Sequence, residues 1–272
     1  MNRKMNEYES LRTVAAPVVR AAIRGGGYGG QTAGLGGRNL QVNVAIMAAE
    51  YALDFMRFCR RNPKPCPLVG VSDTGDPFMR ALGRDIDIRA DVPAYHIYRD
   101  GRLDGSAHDI TDVWRDDFVA FALGCSFTFE HALQDAGVSL WHIEHNKVVP
   151  MYRTNIPTQT AGPFGGGMVV SMRAIPENQV ELATNISRRY RFAHGAPVHC
   201  GDPAAIGIDD IAAPDWGDAA PVAPGSTPVF WACGVTPQVA IERARLPLCI
   251  THKPGHMLIT DVDGDAEIPA VD

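Results

Sequence analysis

Apolar residues fall along this chain in short runs, some at helical spacing and some unbroken, and glycine or proline closes nearly every run. From Glu7 to Arg24 the pattern predicts a helix, stopped by the glycines of Gly25-Gly26-Gly27-Tyr28-Gly29-Gly30. Leu40, Val44, Met47, Tyr51, Phe55 and Phe58 recur at helical spacing and predict a second helix over 39–61, halted by Pro63 and Pro65. A strand at 67–72 and a turn at 73–77 follow, and 95–103 reads as a hairpin with Asp100-Gly101 at its tip. Further on, strands are predicted at 151–156 and 168–173, a helix at 176–190, a short strand near 197–203 and a closing strand pair at 248–251 and 257–261. The stretch 212–227, rich in Pro, Ala, Gly and Asp, reads as surface.

Two segments share one design. Phe121-Ala122-Leu123-Gly124-Cys125-Ser126-Phe127-Thr128 and Phe230-Trp231-Ala232-Cys233-Gly234-Val235-Thr236-Pro237 each read as an apolar strand, a Gly/Cys elbow and a helix start. In the second, Thr236 is placed to cap the helix and Pro237 to open it. Strands spaced by helices predict an α/β fold, with a mixed or mostly parallel sheet flanked by helices in three layers. The β-β-α piece at 146–195 predicts a smaller two-layer α+β domain inserted into a main domain of residues 1–145 plus 196–272. In such a sheet the elbows, Thr251-His252 and the cation Arg153 should meet on one rim, where helix N-termini favour a small anion.

The 272 residues carry a net charge of −6, which argues against a nucleic-acid footprint. No apolar run approaches bilayer length and the first residues lack a signal core, so the cytosol is the expected compartment and a membrane is not an expected partner. The six cysteines have no C-x-x-C spacing, so neither a zinc site nor a disulfide framework is indicated, and no cofactor or metal is expected. Self-association into a homo-oligomer is left open.

The candidate chemistry sits at the predicted strand ends. His252 and His199 are acid/base candidates, and a thiol at an elbow, Cys125 or Cys233, gains nucleophilicity if the helix N-terminus lowers its pKa. Arg153, Thr154 and Asn155 combine a bidentate cation with neutral hydrogen-bonding groups, a set suited to a carboxylate. Ser126, Thr128, Gly234 and Thr236 supply hydroxyls and backbone N–H groups at the two helix starts. The loop Gln31 to Gly37 is glycine-rich but follows no strand and is no Walker A motif.

The runs Arg60-Arg61-Asn62-Pro63-Lys64-Pro65-Cys66-Pro67-Leu68, Gly124-Cys125-Ser126-Phe127-Thr128-Phe129-Glu130, Pro150-Met151-Tyr152-Arg153-Thr154-Asn155, His194-Gly195-Ala196-Pro197-Val198-His199, Phe230 to Gln238 and Thr251-His252-Lys253-Pro254-Gly255-His256-Met257 together resemble the D-glutamate cyclase family, long catalogued as hydro-lyases. The resemblance covers about residues 10–263. One departure is in the glycine-rich loop, where family members carry Gly-Pro-Thr-Ala-Gly and this chain has Gly30-Gln31-Thr32-Ala33-Gly34. The resemblance implies a lyase that removes water, with closure of D-glutamate to 5-oxo-D-proline as the best-known activity.

Lactam formation needs a neutral amine, a γ-carboxyl able to lose oxygen as water, and donors for the oxyanion of the tetrahedral intermediate. Arg153 with Asn155 is expected to hold the α-carboxylate, His252 or His199 to take the amine proton, and the N–H groups after Cys125 and Cys233 to receive the oxyanion. Two other readings remain open: a cofactor-independent racemase or epimerase with one thiol on each side of the substrate α-carbon, and a non-catalytic regulator that binds a metabolite.

Overall fold

The computed structural model describes residues 2–265, with side chains from Glu7 onward. In chain order the elements are α1 (Asn2–Leu11), α2 (Ala16–Arg24), β1 (Asn39–Ala48), α3 (Ala49–Arg61), β2 (Leu68–Val71), β3 (Tyr95–Arg99), β4 (Arg102–Ala107), β5 (Phe118–Gly124), α4 (Phe127–Asp135), α5 (Trp141–Glu144), β6 (Met151–Pro157), β7 (Gly167–Pro176), α6 (Val180–Arg188), β8 (His199–Cys200), β9 (Ser226–Ala232), α7 (Thr236–Ala244), β10 (Cys249–His252) and β11 (Leu258–Asp263). Helices and strands combine in an α/β fold built on two sheets. One has the order β2-β5-β1-β10-β3-β4 with β11 also paired to β1, and the other has the order β6-β7-β9-β8.

Every pairing in these two sheets is antiparallel, where a mixed or mostly parallel sheet was expected. The reason lies in where each strand inserts. The strand-helix-strand unit expected at the second elbow does occur, as β9-α7-β10, and the chain adds a second, β1-α3-β2, where no first strand was expected. In β1-α3-β2, β5 lies between the two strands; in β9-α7-β10, α7 carries the chain from one sheet to the other. The three-layer expectation also fails, because helices α3 and α7 pack on one face of the larger sheet while the other is covered by loop residues such as Met79, Leu82, Ile86, Ile88 and Val92. The β-β-α piece expected at 146–195 contributes β6, β7 and α6, and its sheet is extended by β8 and β9 from further along the chain.

The segment predicted as one helix over 39–61 is half strand. Leu40, Val42, Val44 and Ile46 fill one side of β1 and Ala45 and Met47 the other, the period of two that an extended backbone imposes. Asn39 to Val44 alternate polar and apolar, the signal of a strand, but Ala45 to Ala48 are apolar on both covered faces, and the helical spacing is a coincidence of overlap with α3. Likewise the helix expected over Glu7–Arg24 is two helices, with Pro17 in the first turn of α2. The hairpin holds as expected: Asp100 and Gly101 both take positive φ, 49° and 74°, the pair of left-handed residues a type I′ turn requires.

Candidate active site

Polar residues on the helix-bearing face of β1 bring the two elbows together. Gln41 and Asn43 continue the row of Ala45 and Met47, so their side chains emerge beyond the apolar part of the sheet. Asn43 Nδ2 donates to Leu123 O (3.1 Å) and Gly124 O (3.0 Å), the last residues of β5. The same carboxamide lies against Gly234, where a Cβ would overlap it. Asn43 is therefore the bolt between the elbows, although they belong to different sheets. The Cys125 N–H donates to Gln41 O (2.9 Å) and the Cys233 N–H to Val169 O (3.0 Å), so each elbow is also tied to its neighbouring strand.

The helices begin two residues after Cys125 and three after Cys233, leaving the first N–H groups without a partner inside the helix. In α4 the next two donors turn back, Thr128 N to Cys125 O (3.1 Å) and Phe129 N to Ser126 O (3.2 Å). The threonines do not cap. Thr128 Oγ1 accepts from Gln41 N (3.1 Å) and Thr236 Oγ1 from Val169 N (3.0 Å), so each hydroxyl fastens its helix to a strand instead of meeting an anion. The N-cap positions are Ser126 and Val235, and neither side chain makes a capping bond.

Behind the first elbow lies a buried ionic cluster. Arg173, on the inward face of β7, donates from Nη2 to Ser126 Oγ (2.9 Å), from Nη1 to Ser171 Oγ (3.1 Å) and from Nε and Nη2 to Glu130 Oε1 (3.0 and 2.5 Å). His142 Nε2 meets the same oxygen at 2.8 Å. Burial alone would raise the Glu130 pKa, but His142 and Arg173 outweigh it and hold the carboxyl below its usual value. Its second oxygen, Oε2, has no protein partner, and neither has Gln41 Oε1. Two unmet acceptors beside one elbow leave the region short of donors, which suits a ligand or water carrying hydrogen.

The thiols depart from expectation. Burial pushes the Cys125 pKa well up, against the N–H of Phe127, and raises Cys233 to about 11 against the N–H of Val235 and the Arg173 charge. Desolvation of the thiolate wins over the helix terminus, so both stay SH at neutral pH.

The other expected residues are placed as follows. The His252 ring fills the fork where β1 passes from β10 to β11: the registers reach Ala45–Thr251 on one side and Val42–Leu258 on the other. Its Nδ1 accepts from Val44 N (3.2 Å), an N–H that the fork leaves unpaired, and burial drops its pKa to about 3. A ring so buried is a weak proton acceptor, which weighs against the base role expected of it. Next to it, Gln238 in α7 donates to His252 O (2.9 Å). His199 pairs across from Phe230, on the outer face of the smaller sheet, and its Nε2 meets Asp202 O at 2.7 Å. Trp231 of the same strand and Cys233 just beyond its end face inward, so His199 stands on the wrong side to join them.

Arg153 is also apart. It lies on the exposed flank of α7, paired with Glu242 (3.2 Å) and Asp215 (3.6 Å), over the Trp216 ring. Thr154 Oγ1 donates to Met168 O (2.7 Å), and Asn155 is exposed against Gly207. The elbows thus gather Cys125, Ser126, Cys233 and Gly234; Thr128 and Thr236 brace them from behind, and Arg153, Thr154, Asn155 and His199 lie elsewhere. Sequence reasoning missed Asn43, Gln41, Glu130 and Arg173. Ser171 and Arg173, two polar residues at alternate positions in an apolar strand, were the available signal.

The sequence model of D-glutamate cyclase matches residues 119–261. This chain belongs to the D-glutamate cyclase family. A Dinoroseobacter shibae protein named "Putative hydro-lyase" is 68% identical over 96% of this chain and 87% of its own length. One of the same description from Ruegeria pomeroyi is 67% identical over 97% of this chain and 96% of its own. On that relationship the chain is an enzyme of a hydro-lyase family. The solved structure of a nitrogen repressor-like protein from Methanococcus jannaschii overlays 84% of this chain and 87% of its own at a TM-score of 0.41 and 12% identity, an overlap that carries no argument. No helix of the described residues is long and apolar enough to cross a membrane.

Proposed function

We propose that the enzyme cyclises D-glutamate to 5-oxo-D-proline: the amine nitrogen bonds to the γ-carboxyl carbon, the C–O bond breaks and water leaves. Besides family membership, the observation that carries this reading is the convergence of the two elbows on Asn43. It sets two helix N-termini and two neutral thiols around one point, and these donors suit the oxyanion of a tetrahedral intermediate. Arg173, held behind Ser126, adds positive potential on the same side without leaving its carboxylate. Because amine and carboxyl share a molecule, holding the folded substrate supplies much of the acceleration.

Both thiols lie close enough to influence each other's charge, which favours a two-thiol racemase as second reading; their raised pKa values weigh against it. Chiral chromatography of D-glutamate incubated with the enzyme in ²H₂O separates the two. Cyclisation gives 5-oxo-D-proline with no deuterium at Cα, whereas racemisation gives L-glutamate and washes deuterium in. Cys233→Ser should retain at least roughly a tenth of the cyclase activity, since the thiol performs no obligatory step. A loss on the order of 10²-fold or more, with deuterium in recovered glutamate, would transfer the assignment to the racemase.

A further inference from the structure

Away from the elbows, a large groove runs between α4, the C-terminal end of α6 with the 3-10 turn at Arg191–Ala193, and the end of β11, with a volume of about 1140 Å³. That is ample for a metabolite-sized guest. Arg38, Arg188, Arg189 and Arg191 line it in a chain whose net charge is −6.

The carboxylates of the groove are already engaged. Asp135 pairs with Arg38 (2.8 Å); Asp265 takes Arg38 (3.4 Å), His131 (3.3 Å) and the Tyr190 hydroxyl; and Asp263 accepts the Asp265 N–H (3.0 Å). Arg188, Arg189 and Arg191, three exposed guanidiniums within four residues, have no carboxylate partner among the described residues. Like charges brought this close on a short turn repel one another, and a multivalent anion relieves the repulsion. The guanidinium fork matches the paired oxygens of carboxylate or phosphate. The turn is also seated on the site, because a Cβ at Gly124, the residue before Cys125, would overlap Phe192 O.

We propose that this groove binds a small polyanion carrying two or more carboxylate or phosphate groups, at a site separate from the elbows. Isothermal titration with citrate and, separately, with inorganic pyrophosphate at low ionic strength tests it and distinguishes the two oxygen chemistries. At least one anion should saturate at one per chain, and its Kd should rise at least tenfold in the double variant Arg189→Ala/Arg191→Ala. The control Arg57→Ala/Arg80→Ala, which removes the same charge from ion-paired surface positions elsewhere, should leave the Kd within twofold. All four positions are exposed, and far-UV circular dichroism verifies the fold. If neither anion saturates on the wild-type protein, or the groove variant binds as tightly as wild type, the proposal is overturned. No step of this test depends on D-glutamate turnover, so its failure and that of the cyclase reading are separate results.

Discussion

A methyl group at Gly234 would occupy the volume of the Asn43 carboxamide, and that carboxamide is also what satisfies the carbonyls ending β5. Gly234→Ala should therefore lower stability by about 1–3 kcal/mol, the usual cost of overpacking, and should cost activity beyond what the stability loss explains. Pairing it with Asn43→Ala removes the clash, so the melting temperature should recover part of the loss while activity stays low. Full recovery of both in the double variant would show that Asn43 only fills space. At the same scale, Cys125 and Cys233 illustrate a competition the sequence could not decide: an elbow lowers a thiol pKa and burial raises it, and only coordinates show that both are buried.

Among the elements, α2 shows how the N-terminal part is tied to the larger sheet. Arg20 is buried in the α2 face, donates to Ile259 O (3.0 Å) in β11, and pairs with Asp261 (2.7 Å) and with Asp85. Both carboxylates are partly exposed, so solvent screens the pairs, and Arg20→Ala should cost roughly 2 kcal/mol. The loss should also favour limited proteolysis near residues 12–15, between the first two helices; an unchanged digestion pattern would place the anchor elsewhere. Element type was legible wherever one period dominated, as in the hairpin at Asp100-Gly101 and the strands leading to both elbows. In β1 the alternation of Asn39 to Val44 was present, but it gives way to apolar residues on both faces from Ala45 onward, and the period of the following helix masked it. Losing β1 hid Gln41 and Asn43, because a polar residue marks a site only once its face is known. Sheet direction was illegible too, since no local signal states that β5 inserts between β1 and β2.

Over the whole molecule, acid should act through buried imidazoles. Burial lowers His252 to a pKa of about 3 and His194 and His256 to about 4, all below the 6.5 of an exposed histidine. Each is neutral when folded, so between about pH 4 and 6.5 the unfolded chain binds more protons and stability rises with pH. In that window each contributes a slope of up to about 1.4 kcal/mol per pH unit, greatest near pH 5. Urea melts at pH 7.5 and 5.0 should show a marked drop in the midpoint on acidification, smaller in His194→Gln. Equal midpoints at the two pH values would mean these rings are protonated in the folded protein.

The pairing of β1 with strands from the middle and from the far end of the chain has a consequence during synthesis. β5 can cover one edge of β1 early, but the other edge waits for β10 and β11, which begin about 200 residues after β1 ends. At roughly 5–20 residues per second on the ribosome, that edge, flanked by Val42, Val44 and Ile46, stands open for about 10–40 s. An apolar strand with free N–H and C=O groups is a template for pairing with another chain. Nascent copies on one polysome therefore have time to find each other, so expression at lower temperature or with a holdase chaperone should raise the yield of folded enzyme.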